Sequence, residues 1–113
     1  MTKEINSIDE IAAEYDAIVF DQWGVLHDGA KPYRAAVQTV KRLKGAGHCL
    51  AVLSNSGKRV DANVQQISSF GFELSSFDAV ITSGEAFATD FLDMKVAEKS
   101  FLQIASNKIE LPL

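Results

Sequence analysis

Three short apolar runs, separated by segments of helical spacing, constrain the fold of this chain more than any other feature of its sequence. The runs cover residues 17–20, 49–53 and 79–82. Short continuous runs of this kind are typical of strands buried in a parallel sheet. Parallel strands that alternate with helices are joined by right-handed crossovers. We therefore predict an α/β fold with a parallel sheet and helices on both of its faces.

The segments outside these runs carry the signals of helices and of one further strand. Pro32 can begin a helix with Leu43 on its apolar face. Ser7 lies three residues before a glutamate, the pattern of a capping box, and predicts a short helix that runs to about Tyr15. A final apolar run at residues 101–105 is interpreted as a fourth strand.

Composition and charge restrict the class of protein. The 113 residues, 47% of them hydrophobic and 23% charged, fit one compact domain that spans residues 1–113. A net charge of -4 gives no support for a nucleic-acid partner, because such partners usually require a basic patch. The sequence has no signal-type run at its start and no run approaching the ~20 apolar residues that cross a bilayer. A cytoplasmic protein without a membrane partner is therefore the expectation.

Polar residues stand where each of the three runs ends. Asp21 follows the first run, Ser54 and Asn55 follow the second, and residues 82–84 close the third. Parallel sheets bind ligands beyond the carboxyl ends of their strands, and these positions all belong to that edge. The sequence therefore directs the search for a functional site to the carboxyl edge of the sheet.

The residue types at these strand ends suit phosphate chemistry. The carboxylate of Asp21 can attack phosphorus to give an aspartyl-phosphate, or it can bind Mg²⁺ through hard oxygen atoms. Ser54 and Asn55, with the N-terminus of the helix that follows, can hold a phosphate. The residues alone leave simpler interpretations open, with Asp21 as a turn residue and Ser54 with Asn55 as an ordinary helix cap.

Other motifs of nucleotide and metal sites are absent from the sequence. Residues 56–59 lack the upstream glycine of a P-loop, and no Gly-x-Gly-x-x-Gly segment follows a run. His27 and His48 are isolated and lack the spacing of metal ligands. We therefore predict that each histidine is structural or faces solvent.

Three segments resemble motifs of one family, in the same order along the chain. Residues 20–29, FDQWGVLHDG, resemble motif I of the haloacid dehalogenase-like (HAD) superfamily, in particular its class IIA. Residues 52–56, VLSNS, resemble motif II, and residues 82–86, TSGEA, are similar to the segment that follows the third core strand. The resemblance implies a partial Rossmann-like HAD core.

The resemblance also implies an activity, which is the Mg²⁺-dependent hydrolysis of a small phosphorylated metabolite. By that resemblance Asp21 is the nucleophile and passes through an aspartyl-phosphate. Ser54 and Asn55 would hold the transferred phosphoryl group. The backbone carbonyl of Trp23 would join Asp21 in binding Mg²⁺.

Two departures from the family pattern bear on that activity. A second aspartate, the general acid and base, usually stands two residues after the nucleophile, where this chain has Trp23. Indole cannot transfer that proton, and such help is commonly worth about 10²- to 10⁴-fold. We therefore expect slow turnover, a good leaving group, or a substitute such as Asp28. The chain also stops after Leu113, before the expected cap and motifs III and IV.

These departures keep other classes of function open. One alternative is a truncated, catalytically inactive HAD-like module that binds phosphate or a protein partner. A receiver-like phosphoacceptor domain is a third interpretation, but receivers carry the acceptor aspartate after a later strand, whereas Asp21 follows the first. An incomplete sheet would also leave an exposed edge strand, which predicts self-association.

Overall fold

The protein is described by a computed structural model that covers residues 1–93, 100 and 102–104. The strands in this part are β1 (Ala17–Phe20), β2 (Cys49–Ser54) and β3 (Ala79–Thr82). The helices are α1 (Asp9–Ala12), α2 (Arg34–Gly45), α3 (Val60–Ser69) and α4 (Ser83–Asp93), and a short 3-10 helix, Leu74–Ser76, precedes β3. Each of the three predicted apolar runs forms a strand.

The strands form one parallel sheet in the order β1-β2-β3. Phe20 lies opposite Val52, and Ser54 lies opposite Thr82. Asp21 and the residues after β2 and β3 therefore emerge at the same edge of the sheet. The α/β class, with a parallel sheet and a partial core, is confirmed.

The core lies against one face of the sheet. Side chains alternate between the two faces along a strand, and Leu50 and Val52 of β2 are fully buried on this face. Val40 and Leu43 of α2 and Ile67 of α3 belong to the same buried cluster. The order β1-β2-β3 with right-handed crossovers places both connecting helices on the same side, which accounts for this arrangement.

The opposite face of the sheet, here called the open face, is exposed within the described residues. It carries Val19, Leu53 and Ile81, which are 61%, 53% and 49% exposed. The sequence predicted helices on both faces, whereas the core helices α2 and α3 cover one. An apolar sheet surface is consequently accessible to solvent in the described part of the chain.

The start of α1 follows its local sequence signal. Ser7 Oγ accepts a hydrogen bond from the Asp9 N–H at 3.2 Å, and Glu10 Oε1 accepts one from the Ser7 N–H at 3.3 Å. The predicted capping box is only partly formed, because the N-cap of α1 is Ile8 and the Ser7 hydroxyl is bonded to the N–H of Asp9 instead of that of Glu10. The helix ends at Ala12, short of the predicted Tyr15.

The start of α2 does not follow its local signal. The helix begins at Arg34, two residues after Pro32. Pro32 pairs with His27 in an isolated antiparallel bridge, and the Tyr33 N–H donates to the Leu26 carbonyl at 3.0 Å. The prediction that Pro32 begins the helix is wrong because this pairing holds the chain against the loop after β1.

The predicted fourth strand at residues 101–105 is not formed in its described part. Residues 102–104 have no strand structure, and Leu102 and Ile104 are 84% and 89% exposed. Apolar content alone does not make a strand, which also needs pairing and burial. Residues 101 and 105 lie outside the described residues. No helix in the described part combines the length and the apolar character needed to cross a membrane.

Candidate active site

A cavity of about 400 Å³ opens at the carboxyl ends of the strands. The residues that line this strand-end cavity come from the loop after β1, from the last residue of β2 and the loop that follows it, and from the helix α3. They are Asp21, Gln22, Trp23, Ser54, Asn55, Ser56, Lys58, Asn63 and Gln66. The fold therefore brings together the predicted site residues Asp21, Ser54 and Asn55, together with Trp23. Residues 82–84, also singled out in the sequence, do not line it.

The loop after β1 presents Asp21 at the mouth of the cavity. Asp21 is exposed, and its Oδ1 accepts a hydrogen bond from the Gln22 N–H at 2.9 Å. The loop then closes on itself, because the Gln22 carbonyl accepts the Leu26 N–H at 2.8 Å. Gly24 makes the turn possible with a φ of 84°, in the left-handed region that favours glycine. Asp21 thus belongs to a hydrogen-bonded loop, and within the described part of the chain it is the only carboxylate that lines the cavity.

His27 is a structural residue of the same loop. It is fully buried, and its ring packs against Phe70 at a centroid distance of 4.7 Å. Its Nδ1 accepts the Gly29 N–H at 3.0 Å, and its Nε2 lies 3.1 Å from the side-chain amide of Gln22. Burial lowers the pKa of His27, so the ring is neutral at neutral pH. Of the two predicted roles, structural or solvent-facing, the structural one is correct.

The loop after β2 keeps its polar groups at the cavity instead of capping α3. Ser54 is nearly buried, and its Oγ accepts the Ser56 N–H at 3.2 Å. The N-cap of α3 is Arg59, five residues beyond Ser54. The simpler interpretation of Ser54 and Asn55 as an ordinary cap of the helix is therefore wrong.

A carboxylate already occupies the N-terminus of α3. Glu85 Oε2 accepts the Val60 N–H at 3.1 Å, and the same carboxylate forms an ion pair with Arg59 at 2.7 Å. The hydrogen bond from Arg59, followed by the one from Val60, lowers the pKa of Glu85 to about 2. The expectation that this helix N-terminus helps to hold a phosphate is not met, because Glu85 takes that position.

The segment after β3 supports the loop after β2 from outside the cavity. Thr82 Oγ1 donates to the Lys58 carbonyl at 2.9 Å, and the Gly84 N–H donates to the Ser56 carbonyl at 2.9 Å. A Cβ at Gly84 would lie 2.3 Å from the Gly57 carbonyl oxygen, so only glycine fits this approach. The resemblance in residues 82–86 marked this segment, but local sequence could not reveal that it supports another loop.

Ser83 orients a predicted phosphate ligand. Its hydroxyl donates to Asn55 Oδ1 at 3.1 Å. Because the amide oxygen is engaged by Ser83, the amide NH₂ of Asn55 is the end that can donate to an anion. This contact therefore supports the expected role of Asn55.

Asp28 does not lie where a substitute general acid would be needed. Its Oδ1 accepts the N–H groups of Ala30 and Lys31 at 2.9 and 2.8 Å. These bonds lower the pKa of Asp28, which makes the carboxyl a poorer proton donor. Asp28 is also absent from the lining of the cavity, so its geometry is that of a turn residue.

Three lining residues were not identified from the sequence. Among the described residues, Lys58 is the only cationic side chain that lines the cavity, and Gln66 approaches the Gln22 amide at 3.4 Å. Asn63 is buried, and its Nδ2 donates to the Arg59 carbonyl at 3.0 Å. Asn63 and Gln66 lie three positions apart, a helical spacing that could have placed both on the face of α3 toward the strand ends.

Comparisons with known proteins agree with this fold. A family model described as haloacid dehalogenase-like hydrolase matches residues 18–112. The structure is similar to the crystal structure of a hydrolase of the haloacid dehalogenase-like family from Brucella suis 1330, with 30% sequence identity and a TM-score of 0.67. The match covers 74% of this chain and 32% of that chain, so this chain spans about a third of that protein's length. No curated protein matches the sequence.

Proposed function

The chain belongs to the haloacid dehalogenase-like hydrolase family, and from that premise we propose that it carries the nucleophile site of a Mg²⁺-dependent phosphohydrolase. The observation that carries the proposal is the meeting of Asp21, Ser54 and Asn55 around one cavity. The proposed substrate is a small phosphate monoester. The three motif-like segments in their order also support an assignment to class IIA of the family.

In the proposed reaction, the Asp21 carboxylate attacks phosphorus. The bond from phosphorus to the leaving oxygen breaks as the bond to the Asp21 oxygen forms, and the leaving oxygen keeps the electron pair. The Ser54 hydroxyl and the Asn55 amide would donate hydrogen bonds to the phosphoryl oxygens, and Lys58 would offset their charge. Water then attacks phosphorus, the bond from phosphorus to the Asp21 oxygen breaks, and the phosphate leaves with a proton of that water, which restores the Asp21 carboxylate.

The donor groups near Asp21 fit a Mg²⁺ ion that is held in part by the substrate. The Asp21 carboxylate and the Trp23 backbone carbonyl are hard oxygen donors, which Mg²⁺ prefers. Within the described residues no cluster of three or more His, Cys, Asp or Glu could hold a metal. Waters and the substrate phosphate would complete the coordination, as is common for Mg²⁺. When bound, the ion supplies charge neutralisation on the phosphoryl oxygens.

A second candidate function is a non-catalytic module that binds phosphate or a protein partner. Trp23 favours it, because indole stands where the family has its general acid and base. The open face favours it as well, because an exposed apolar sheet surface is typical of an interaction site. The two candidate functions differ in whether Asp21 is phosphorylated during the reaction.

Hydrolysis of an aryl phosphate by the 113-residue chain, with and without Mg²⁺, tests the proposal. We expect Mg²⁺-dependent release of phosphate that is lost in Asp21→Asn. Asp28→Asn is the matched control, because it makes the same change in the same loop outside the cavity and keeps the oxygen that accepts the turn hydrogen bonds. Equal activity of the wild type and Asp21→Asn would contradict the proposal. Phosphate binding without any hydrolysis would favour the second candidate.

A further inference from the structure

Trp23 differs from every other residue of the strand-end cavity. Among the described residues that line the cavity, it carries the only aromatic ring, and its neighbours there are charged, hydroxylic or amide side chains. Trp23 is nevertheless 65% exposed. A large ring that remains accessible beside a polar cavity offers an apolar surface to whatever enters the cavity.

The Trp23 indole is held in place by contacts with Gly29 and His27. A Cβ at Gly29 would lie 2.3 Å from Trp23 Cζ2, so the ring lies directly against the backbone of Gly29. The His27 ring meets the indole in an edge-on arrangement, with centroids 5.6 Å apart and planes at 63°. His27 is itself buried and hydrogen-bonded to Gly29. The indole is therefore ordered before any ligand binds, which lowers the entropic cost of packing a second ring on it.

The cavity has room for more than a phosphate group. A volume of about 400 Å³ falls within the range of ~300 to 1,000 Å³ that is usual for sites of small organic ligands. Ser54 and Asn55 account for the phosphate in the proposed function. The remainder of the cavity, next to Trp23, is then available to the leaving group of the ester.

The chemistry of the leaving group points in the same direction. Trp23 replaces the residue that would protonate an alcohol as it leaves. A phenol has a pKa of ~10, far below the pKa of a simple alcohol, so a phenolate can leave without that proton. Trp23 therefore stands in place of the general acid and also offers an aromatic surface to aryl esters, which are the esters that depend least on a general acid.

We propose that Trp23 is a stacking platform that selects aryl phosphate monoesters, with the aromatic leaving group packed on the indole. This inference rests on the proposed function, because the phosphate position sets where the leaving group lies. The chain contains one tryptophan, so its fluorescence reports on this platform alone. Aromatic pairs add ~0.7 to 1.4 kcal/mol, which corresponds to an affinity difference of about 3- to 10-fold.

Binding of two non-hydrolysable analogues tests the proposal. Calorimetric titration of the 113-residue chain in Mg²⁺ would compare benzylphosphonate, which mimics an aryl ester, with ethylphosphonate. We expect benzylphosphonate to bind about 3- to 10-fold more tightly and to change the Trp23 emission. Trp23→Ala should bring the ratio of the two affinities close to one, whatever its effect on phosphonate binding as a whole, and Trp23→Phe should keep most of the wild-type ratio.

Tyr15→Ala is the matched control, because Tyr15 is an aromatic residue of similar exposure, 56%, outside the cavity. Equal binding of the two phosphonates by the wild type would overturn the platform and leave the proposed function standing. Equal weakening of both by Trp23→Ala and Trp23→Phe would also overturn it, since Trp23 would then act on the loop. Binding of neither phosphonate would overturn the proposed function together with the platform.

Discussion

The two faces of the sheet carry apolar side chains of similar kind but differ in how far they are covered. On the covered face Leu50 and Val52 are completely buried, while on the open face Leu53 and Ile81 are about half exposed. The difference does not arise from side-chain type, because Leu50 and Leu53 lie on the same strand. It arises from connectivity, since consecutive right-handed crossovers place α2 and α3 on one side.

This comparison separates the source of stability from the location of the chemistry. The described chain derives its apolar burial from the covered face, and α3 on that side also contributes Asn63 and Gln66 to the cavity. In the described structure, Val19, Leu53 and Ile81 of the open face do not line the cavity. Changes on the covered face should therefore affect folding and the site together, whereas changes on the open face should affect association.

The largest expected effect is the contrast between Leu50→Ala and Leu53→Ala. Leu50→Ala removes a fully buried side chain and should lower the free energy of unfolding by about 2 to 5 kcal/mol. Leu53→Ala makes the same chemical change at a residue that is 53% exposed, and should cost less than ~1 kcal/mol. Urea unfolding of both variants measures the difference. Similar losses in the two variants would show that the open face is covered in solution.

A smaller loss of unfolding free energy is expected for a substitution at the contact between the segment after β3 and the loop after β2. Gly84→Ala places a methyl group 2.3 Å from the Gly57 carbonyl oxygen, and the resulting strain should cost about 1 to 3 kcal/mol. It should also weaken phosphate binding, because Gly84 supports the Ser56 carbonyl. Gly45→Ala is the control, since nothing lies within 4 Å of that position. A Gly84→Ala variant as stable as the control would contradict this contact.

The ion pair between Arg59 and Glu85 predicts a pH-dependent effect. The pKa of Glu85 is lowered from 4.5 to about 2, so its contribution to stability is complete above pH 4.5 and disappears as the pH falls through about 2. The difference in unfolding free energy between the wild type and Glu85→Gln should therefore shrink between about pH 5 and pH 2. Arg59→Gln should show the same pH dependence. A difference that is constant with pH would exclude this ion pair as its cause.

The smallest effect on folding is expected for a charge on the open face, where we propose that the chain self-associates. Leu53→Lys should reduce self-association in size-exclusion chromatography over a range of concentrations and change the unfolding free energy by less than ~0.5 kcal/mol. Gln38→Lys adds the same charge at an exposed position of α2. Association that persists in Leu53→Lys would indicate the edge strands instead, and a wild type that stays monomeric would contradict the proposal.

The secondary structure was predictable where local and tertiary preferences agree. β1 and β3 have the bounds of their apolar runs, residues 17–20 and 79–82, because polar residues end each run and the sheet buries one of its faces. The start of α2 was not predictable, because the bridge between Pro32 and His27 joins residues whose pairing leaves no local signal. A long-range pairing overrode a local preference there.

The site was predictable for the residues that directly follow strands. Asp21, Ser54 and Asn55 meet because parallel strands gather their carboxyl ends at one edge. The roles of Ser83 and Glu85 depend on hydrogen bonds to residues more than twenty positions away, which no local pattern expresses. The position of Lys58 in the cavity lining was also not predictable, because it depends on the path of the loop after β2.

The sequence by itself determined the strand positions, the parallel α/β class and the three residues at the strand ends. Polarity along a chain is a local property, and strands that alternate with helices are joined by crossovers that make them parallel. Tertiary structure alone decided which face of the sheet is covered, which loop the segment after β3 supports, and that Trp23 lies on Gly29 beside the cavity. These outcomes depend on how elements distant in sequence pack together. The free energy of that packing arises from contacts between residues that are far apart along the chain.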